Sequence, residues 1–152
     1  MAIFEQRPPA AGVSCTAGSR TYVAGIAAPT GEPINAKYLG LSTRSQSIQD
    51  LPMLVELLEF TVDGTGSTLN TVALDGDVTR TAPAGKHTYT VAPSGTERTL
   101  WKREVPPQYP LERLFDEIPD AIRKVIGGRF LVLAVTPNTV NQTVFATLGV
   151  AT

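Results

Sequence analysis

His87 and Cys15 are the only histidine and the only cysteine of the chain, and they limit the chemistry that it can support. A Ser-His-Asp or Cys-His catalytic arrangement would have to use His87. That residue follows Gly85-Lys86 at the start of a strand-like segment, a position typical of an exposed turn residue. A single cysteine excludes an intramolecular disulfide and a zinc site built on several thiolates. We interpret Cys15 as a small buried hydrophobic residue.

Acidic and glycine-rich turns offer weak candidates for binding metal or phosphate. Asp63, Asp75 and Asp77 flank such turns, but the spacing of a calcium-binding loop is absent, and Asp-Gly is a common turn dipeptide. The stretch 64–68 superficially resembles a phosphate-binding loop but lacks its Gly-Lys-Ser/Thr ending. We therefore expect no metal ion and no cofactor.

Two groups of neighbouring carboxylates remain, Glu56 with Glu59 and Asp116-Glu117 with Asp120. Acid–base catalysis needs surroundings that push the pKa values of two such groups apart. Solvent-exposed positions are the simpler interpretation of both groups. The sequence predicts no catalytic residue, and we do not expect an enzyme.

Composition restricts the partners. The chain has 152 residues, 42% of them apolar and 18% charged, and suits one domain with its own core. Its formal net charge is −1, so a broad phosphate-binding face is not expected, and nucleic acid is not a predicted partner. No apolar run reaches the roughly 18 residues of a membrane helix. The first residues lack the apolar core of a signal peptide, so we expect synthesis in a cytoplasm.

Short β-like runs alternate with turn signals from Val13 onward, which favours a β-sandwich or jelly roll. The clearest pair, 128–136 and 141–150, is joined by Pro137-Asn138-Thr139-Val140 and predicts a hairpin. The other predicted strands are Arg20–Ala28, Pro33–Thr43, Pro52–Val62, Thr71–Leu74, His87–Ala92 and Thr96–Val105, with 65–80 otherwise a loop. The apolar spacing of 52–62 is ambiguous, because it fits a helical turn as well as a strand, and the turn signal Asp63-Gly64 favours the strand.

The segment Tyr109–Ile126 departs from this β pattern. It places apolar residues at helical spacing and ends at Gly127-Gly128, but Pro119 interrupts it. We predict one short helical insertion, with a helix or turn before Pro119 and a second turn after it.

Residues 1–12 contain five consecutive residues, Pro8 to Gly12, that disfavour pairing in a sheet. They predict an extended N-terminal arm held away from its own sheet, followed by a single β-sandwich or jelly-roll-like domain at 13–152. Such an arm is either a disordered terminus or a strap laid over a neighbouring subunit, and the apolar Ile3 and Phe4 favour the strap.

A second segment, 101–110, combines aromatic residues, charges and three prolines, and is rigid without hydrogen bonding to itself. Together with the arm it gives the candidate interface residues, which are Ile3, Phe4, Arg7, Pro8, Pro9, Trp101, Arg103 and Tyr109.

The order of these elements resembles that of small β-sandwich structural proteins of tailed bacteriophages. It is carried by 16–23 (TAGSRTYV), 35–42 (NAKYLGLS), 60–68 (FTVDGTGST), 100–106 (LWKREVP) and 127–135 (GGRFLVLAV). The resemblance implies a virion protein that decorates or completes a capsid, as a symmetric oligomer, with a trimer favoured. It implies no catalytic residues.

Two functions from different classes follow. The first is a virion structural protein, a capsid decoration protein that acts through protein–protein contacts with capsid or other virion proteins. The alternative is a carbohydrate-binding β-sandwich module of a fibre or a polysaccharide-acting system, with Trp101 and Tyr109 as its aromatic platform.

Overall fold

The protein is mainly β, as its sequence predicts. The computed structural model describes residues 2–44, 51–74, 80–115 and 119–152. Its elements in chain order are β1 (Ile3–Gln6), β2 (Val13–Cys15), β3 (Thr21–Ala27), β4 (Ile34–Thr43), β5 (Met53–Val62), β6 (Thr65–Thr68), β7 (Val72–Ala73), β8 (Gly85–Val91), β9 (Ser94–Val105), β10 (Leu111–Leu114), α1 (Asp120–Arg123), β11 (Lys124–Val125), β12 (Phe130–Thr136) and β13 (Gln142–Ala151).

The strands form two antiparallel sheets. The seven-stranded sheet A has the order β10-β4-β13-β1-β7, with β11 also paired to β4 and β2 to β13. The six-stranded sheet B has the order β6-β8-β3-β12-β5-β9. Buried apolar side chains from both sheets form one cluster, such as Leu148 of β13 and Leu133 of β12. This packing is that of a β-sandwich.

Sheet B also buries part of its outer face. Leu58, Phe60, Val132 and Ala134 form a second apolar cluster there, against which Tyr22, Tyr89 and Phe130 pack. The ring of Tyr22 meets those of Phe60 and Tyr89 edge-on, with centroids 5.8 and 6.3 Å apart. Because both faces of β12 are covered, its five central residues are all buried.

Most predicted strands are found. They correspond to β3, β4, β5, β7, β8 and β9, and the ambiguous run 52–62 is a strand. Residues 65–68, predicted as a loop, form β6 against β8. Asp75 and Asp77, considered as calcium ligands, lie outside the described residues.

The prediction that Ile3–Gln6 belong to an extended N-terminal arm is wrong. These residues form β1 in the interior of sheet A, between β13 and β7. Phe4 is 1% exposed and belongs to the central core. The prolines that suggested an arm come after this strand, where they do not interrupt its hydrogen bonds. Residues 1–12 and 13–152 are therefore not separate structural units.

The predicted hairpin of the last two strands is also wrong. β12 pairs with β3 and β5 in sheet B, whereas β13 pairs with β1, β2 and β4 in sheet A. The connection between them crosses from one sheet to the other. It is fastened by Gly18 N–H, which donates to Pro137 O at 2.8 Å, and by Ala17 N–H, which donates to Asn141 Oδ1 at 2.8 Å.

Part of the region predicted as a helical insertion is a strand. Residues 111–114 form β10 on the edge of β4, because their backbone pairs with Tyr38–Leu41. After Pro119, α1 is a single turn of four residues. Residues 116–118 lie outside the described residues.

The expectation that Glu56 and Glu59 are solvent-exposed is wrong, since both are buried. Arg20 donates two parallel hydrogen bonds to the Glu56 carboxylate, from Nε at 3.1 Å and from Nη2 at 3.0 Å. Such forked, charge-assisted bonds offset the cost of removing a carboxylate from water. Arg98 binds both oxygens of Glu59 in the same forked way, and Arg129 adds a single bond to one of them.

Candidate functional site: a groove across the outer face of sheet A

The outer face of sheet A is arranged in two rows that follow the strand register. Glu5, Gly149, Tyr38 and Leu114 lie side by side on β1, β13, β4 and β10. In the next row, Thr147, Gly40 and Glu112 lie on β13, β4 and β10. Because side chains alternate between the faces of a strand, both rows point away from the core.

In the first row, the ring of Tyr38 lies across Gly149. A Cβ at Gly149 would stand 2.3 Å from Cε1 of Tyr38, so only glycine leaves room for the ring. The Tyr38 hydroxyl donates a hydrogen bond to the Glu5 carboxylate, which also accepts one from Arg7 Nε at 2.9 Å. Glu5, Gly149 and Tyr38 thereby form an ordered row, which we call the ridge.

Contacts within the ridge shift the pKa values of Glu5 and Tyr38. Burial alone would raise the pKa of Glu5, but the hydrogen bonds from Tyr38 and Arg7 and the charge of Arg7 outweigh it and lower that pKa. Burial and the Glu5 carboxylate together raise the pKa of Tyr38. Glu5 is therefore held as a carboxylate beside a neutral phenol.

The second row forms the floor of a groove. A Cβ at Gly40 would meet its nearest neighbour, Thr147 Cβ, at an ordinary 3.6 Å. On one side of this floor lies a depression of about 500 Å3 bounded by Glu5, Tyr38 and Leu114. On the other side lies one of about 300 Å3 bounded by Pro8, Ser42, Pro110 and Phe145. Gly40, Glu112 and Thr147 line both, so the two depressions are continuous.

A third depression extends the groove past the end of β9. It has a volume of about 200 Å3 and is lined by Arg103, Tyr109, Pro110 and others. The loop that carries Tyr109 is tied to β4, because the Thr43 hydroxyl donates to Pro107 O at 2.5 Å. We call the three connected depressions, from Glu5 to Arg103, the groove surface.

The groove surface exposes apolar groups and uncompensated charges. Tyr109 and Leu114 are 69% and 66% exposed, the two largest values among the exposed large hydrophobic residues of the described chain. Within the residues that the structure describes, neither Arg103 nor Glu112 has an ion-pair partner. These features are common where a second macromolecule docks.

The eight predicted interface residues divide between this surface and the interior. Pro8, Arg103 and Tyr109 line it, and Arg7 holds Glu5 at its edge. Phe4 is in the core, so its assignment to an interface is wrong.

The remaining three candidates lie elsewhere. Trp101 is partly buried against Phe115, with ring centroids 5.7 Å apart. Ile3 is a partly exposed residue of β1, and Pro9 belongs to the turn that follows it, where its carbonyl accepts from Gly12 N–H at 2.9 Å.

Sequence reasoning missed Glu5, Tyr38, Gly40, Glu112, Leu114 and Thr147. A signal existed in two strand glycines, Gly40 and Gly149, since glycine inside a strand often marks a close approach of another group. The helical interpretation of 109–126 hid Glu112 and Leu114.

The residues first considered for chemistry are dispersed. His87 lies within β8 with Nδ1 2.9 Å from Thr88 Oγ1. Cys15 is buried as predicted, and burial raises the pKa of its thiol to about 11. Asp63 accepts a hydrogen bond from Lys86. No cluster of three or more His, Cys, Asp or Glu side chains that could hold a metal ion occurs within the described ranges.

Comparison with known proteins gives no relative: no family model matches the sequence, and no curated protein or solved structure does so either. In the described part of the chain, no helix is both long and apolar enough to span a membrane.

Proposed function

We propose that this chain is a virion structural protein of the capsid decoration type, which acts through protein–protein contacts and forms a homo-oligomer. The observation that carries the proposal is the groove surface, where exposed apolar groups stand beside Arg103 and Glu112, two opposite charges without an ion-pair partner among the described residues. The order of strands and turns along the sequence, which resembles that of phage structural proteins, supports the choice of class.

The shape of the groove suits a protein partner. Its three depressions are joined into one long, open surface, rather than closing around a small molecule. An apolar centre with a charged rim is the usual composition of a specific interface between proteins.

The charges suggest how copies are oriented. Arg103 lies at one end of the groove surface and Glu112 lies towards its middle. In the contact that we propose, Arg103 of one copy pairs with Glu112 of its neighbour, and Leu114 and Tyr109 are buried between them. A closed cyclic arrangement of such contacts, a trimer by the resemblance, gives each copy the same surroundings.

The proposal includes a jelly-roll-like connectivity. Several successive strands lie in different sheets, since β3 and β5 lie in sheet B and β4 in sheet A, and β12 of sheet B is followed by β13 of sheet A, whereas β8 and β9 both lie in sheet B. Connections that cross between the two sheets are a feature of Greek-key and jelly-roll sandwiches.

The carbohydrate-binding alternative has weaker support. A glycan platform of Trp101 and Tyr109 needs both rings on one surface. The Trp101 ring instead packs edge-on against Phe115, and Trp101 does not line the depression beside Tyr109. A screen of the full chain against immobilised glycans is expected to give no saturable binding.

A charge exchange tests the proposal. We expect sedimentation of the full chain to show an oligomer that Glu112→Arg or Arg103→Glu weakens by roughly tenfold each. The double variant, with both charges exchanged, should recover much of the loss. The matched control is Lys102→Glu, which reverses an exposed charge on β9 outside the groove surface. A monomeric wild type, or single variants that associate as the wild type does, would contradict the proposal.

A further inference from the structure

A pocket at one end of the sandwich carries an excess of positive charge. It has a volume of about 410 Å3 and is lined by Glu59, Arg98, Lys124, Ile126 and Arg129. One carboxylate faces three cationic side chains, so the lining has a net charge of +2. None of these residues belongs to the groove surface, and nothing in the proposed function uses them.

A buried carboxylate fixes the two arginines of this pocket. The Glu59 side chain is 2% exposed, and Arg98 is its neighbour across the β5–β9 pair. Arg98 donates from Nε and Nη2 to the two oxygens of Glu59, each at 3.1 Å. Arg129 adds a bond from Nη1 to Oε1 at 3.0 Å. Both guanidinium planes are therefore oriented before any ligand arrives.

The N–H donors of Arg98 are largely used in hydrogen bonds within the fold. Its Nη2 also donates to Lys124 O at 2.6 Å, and its Nη1 lies 3.4 Å from Ile122 O. These bonds tie β9 to the segment that leads into sheet A. Because Arg98 alone reaches both oxygens of Glu59, neutralising that carboxylate does not require a second arginine.

Arg129 and Lys124 supply the excess positive charge of the pocket. Within the described part of the chain, the Arg129 side chain makes no bond other than the one to Glu59, and the Lys124 ammonium has no partner. The Arg129 side chain is 39% exposed, and Lys124 is an exposed residue. Several N–H donors of the two residues thus have no partner among the described residues and lie at the wall of one pocket.

We propose that this pocket binds an oxyanion, the phosphoryl or carboxylate group of a ligand, between Arg129 and Lys124. The planar guanidinium offers paired donors to two oxygens of such a group, and the ammonium adds a point charge. Glu59 does not touch the ligand. It holds Arg129 in the orientation that binding needs.

The test is a titration of the full chain with inorganic phosphate, followed by NMR or calorimetry, against sodium chloride at the same ionic strength. We expect saturable binding in the millimolar range. Lys124→Ala should weaken it roughly fivefold or more, since one exposed charge is removed. The control Lys102→Ala removes another exposed lysine without a partner in the described chain, and should leave the affinity unchanged.

Two further arms complete the test. Arg129→Gln should weaken binding at least as much as Lys124→Ala, with thermal melting checking that it is folded. Acetate in place of phosphate distinguishes the two ligand sources: tighter phosphate binding indicates a phosphoryl group, and tighter acetate binding a carboxylate. A response to phosphate no larger than that to chloride, or a Lys124→Ala variant that binds as the wild type does, would overturn the proposal.

Discussion

Tyr38 owes its position to two other residues, Gly149 beneath its ring and Glu5 at its hydroxyl. The ring fills the space that a side chain on β13 would occupy, and the hydrogen bond to Glu5 joins β4 to β1 across the strand between them. The shape of the groove therefore depends on three residues that are far apart in sequence.

Gly149→Ala should destabilise the protein by about 1–3 kcal/mol, because the new Cβ would overlap the Tyr38 ring. Gly40→Ala is the matched control, since its Cβ would make only an ordinary contact, and its effect should be small. Urea unfolding measures both variants. In the Tyr38→Ala background the Gly149→Ala penalty should largely disappear, and an unchanged penalty there would show that another contact requires the glycine.

Glu5 should make stability depend on pH in the acid range. Its pKa is lower in the folded protein than its ordinary value of 4.5, mainly through Tyr38 and Arg7 acting against burial. Its contribution is therefore fully present above about pH 4.5 and is lost as the pH falls through the folded-state value.

Glu5→Gln should reduce the free energy of unfolding at pH 7 and leave it nearly unchanged at a pH below the folded-state value. Urea unfolding across this range, with the exposed Glu32→Gln as control, measures the difference. A gap between wild type and Glu5→Gln that stays constant down to low pH would contradict the assignment.

At the scale of elements, β1 completes sheet A. It lies between β13 and β7, and Phe4 brings an aromatic ring into the central core. Removing this strand would expose the edge of β13 and leave a cavity where the ring lies. The N-terminal segment is therefore part of the fold and not an accessory to it.

Deletion of residues 2–12 should prevent folding, as seen by the loss of β-sheet circular dichroism and of a cooperative melt. Phe4→Ala should cost about 3–5 kcal/mol, because it removes a fully buried aromatic ring. Ala10→Ser, an exposed change in the turn that follows β1, should cost little. A truncated chain that melts as the full chain does would show that β1 is dispensable.

The strands also show which features of the fold could be predicted from the sequence. Strand positions follow from alternation and turn residues, so β3, β4, β8 and β9 were predictable. Strand partners were not, since β12 and β13 are adjacent in sequence but belong to different sheets. Alternation tells which side chains share a face, but it does not identify the neighbouring strand.

The candidate site was predictable only where its residues are unusual for a strand or loop. The proline-rich 106–110 segment and Arg103 carried such a signal, and they line the groove surface. Glu112 and Leu114 did not, because apolar spacing in 109–126 fits a helix as well as an edge strand. The buried Glu59 was missed because its partners, Arg98 and Arg129, lie 39 and 70 residues away along the chain.

At the scale of the whole molecule, the two outer faces of the sandwich differ. Sheet B covers its own outer face with Tyr22, Tyr89 and Phe130 over an apolar cluster. Sheet A leaves a groove open across its outer face, bordered by exposed Leu114 and Tyr109. The proposal of an oligomer uses this asymmetry: the groove surface, on sheet A and the adjoining end of β9, is the face proposed to contact a neighbour, and the outer face of sheet B is the one proposed to face away from it.

The most direct test of this account compares one substitution on each face. Thr147 lines the groove on β13, and Thr99 lies exposed on β9 of sheet B, so Thr147→Arg and Thr99→Arg add the same side chain to opposite faces. The measurement is the native mass of the full chain over a range of concentrations. We predict an oligomer for the wild type and for Thr99→Arg, and a monomer for Thr147→Arg with an unchanged circular dichroism spectrum. An oligomer that persists in Thr147→Arg but is lost in Thr99→Arg, or a wild type that is monomeric throughout, would contradict the central claim.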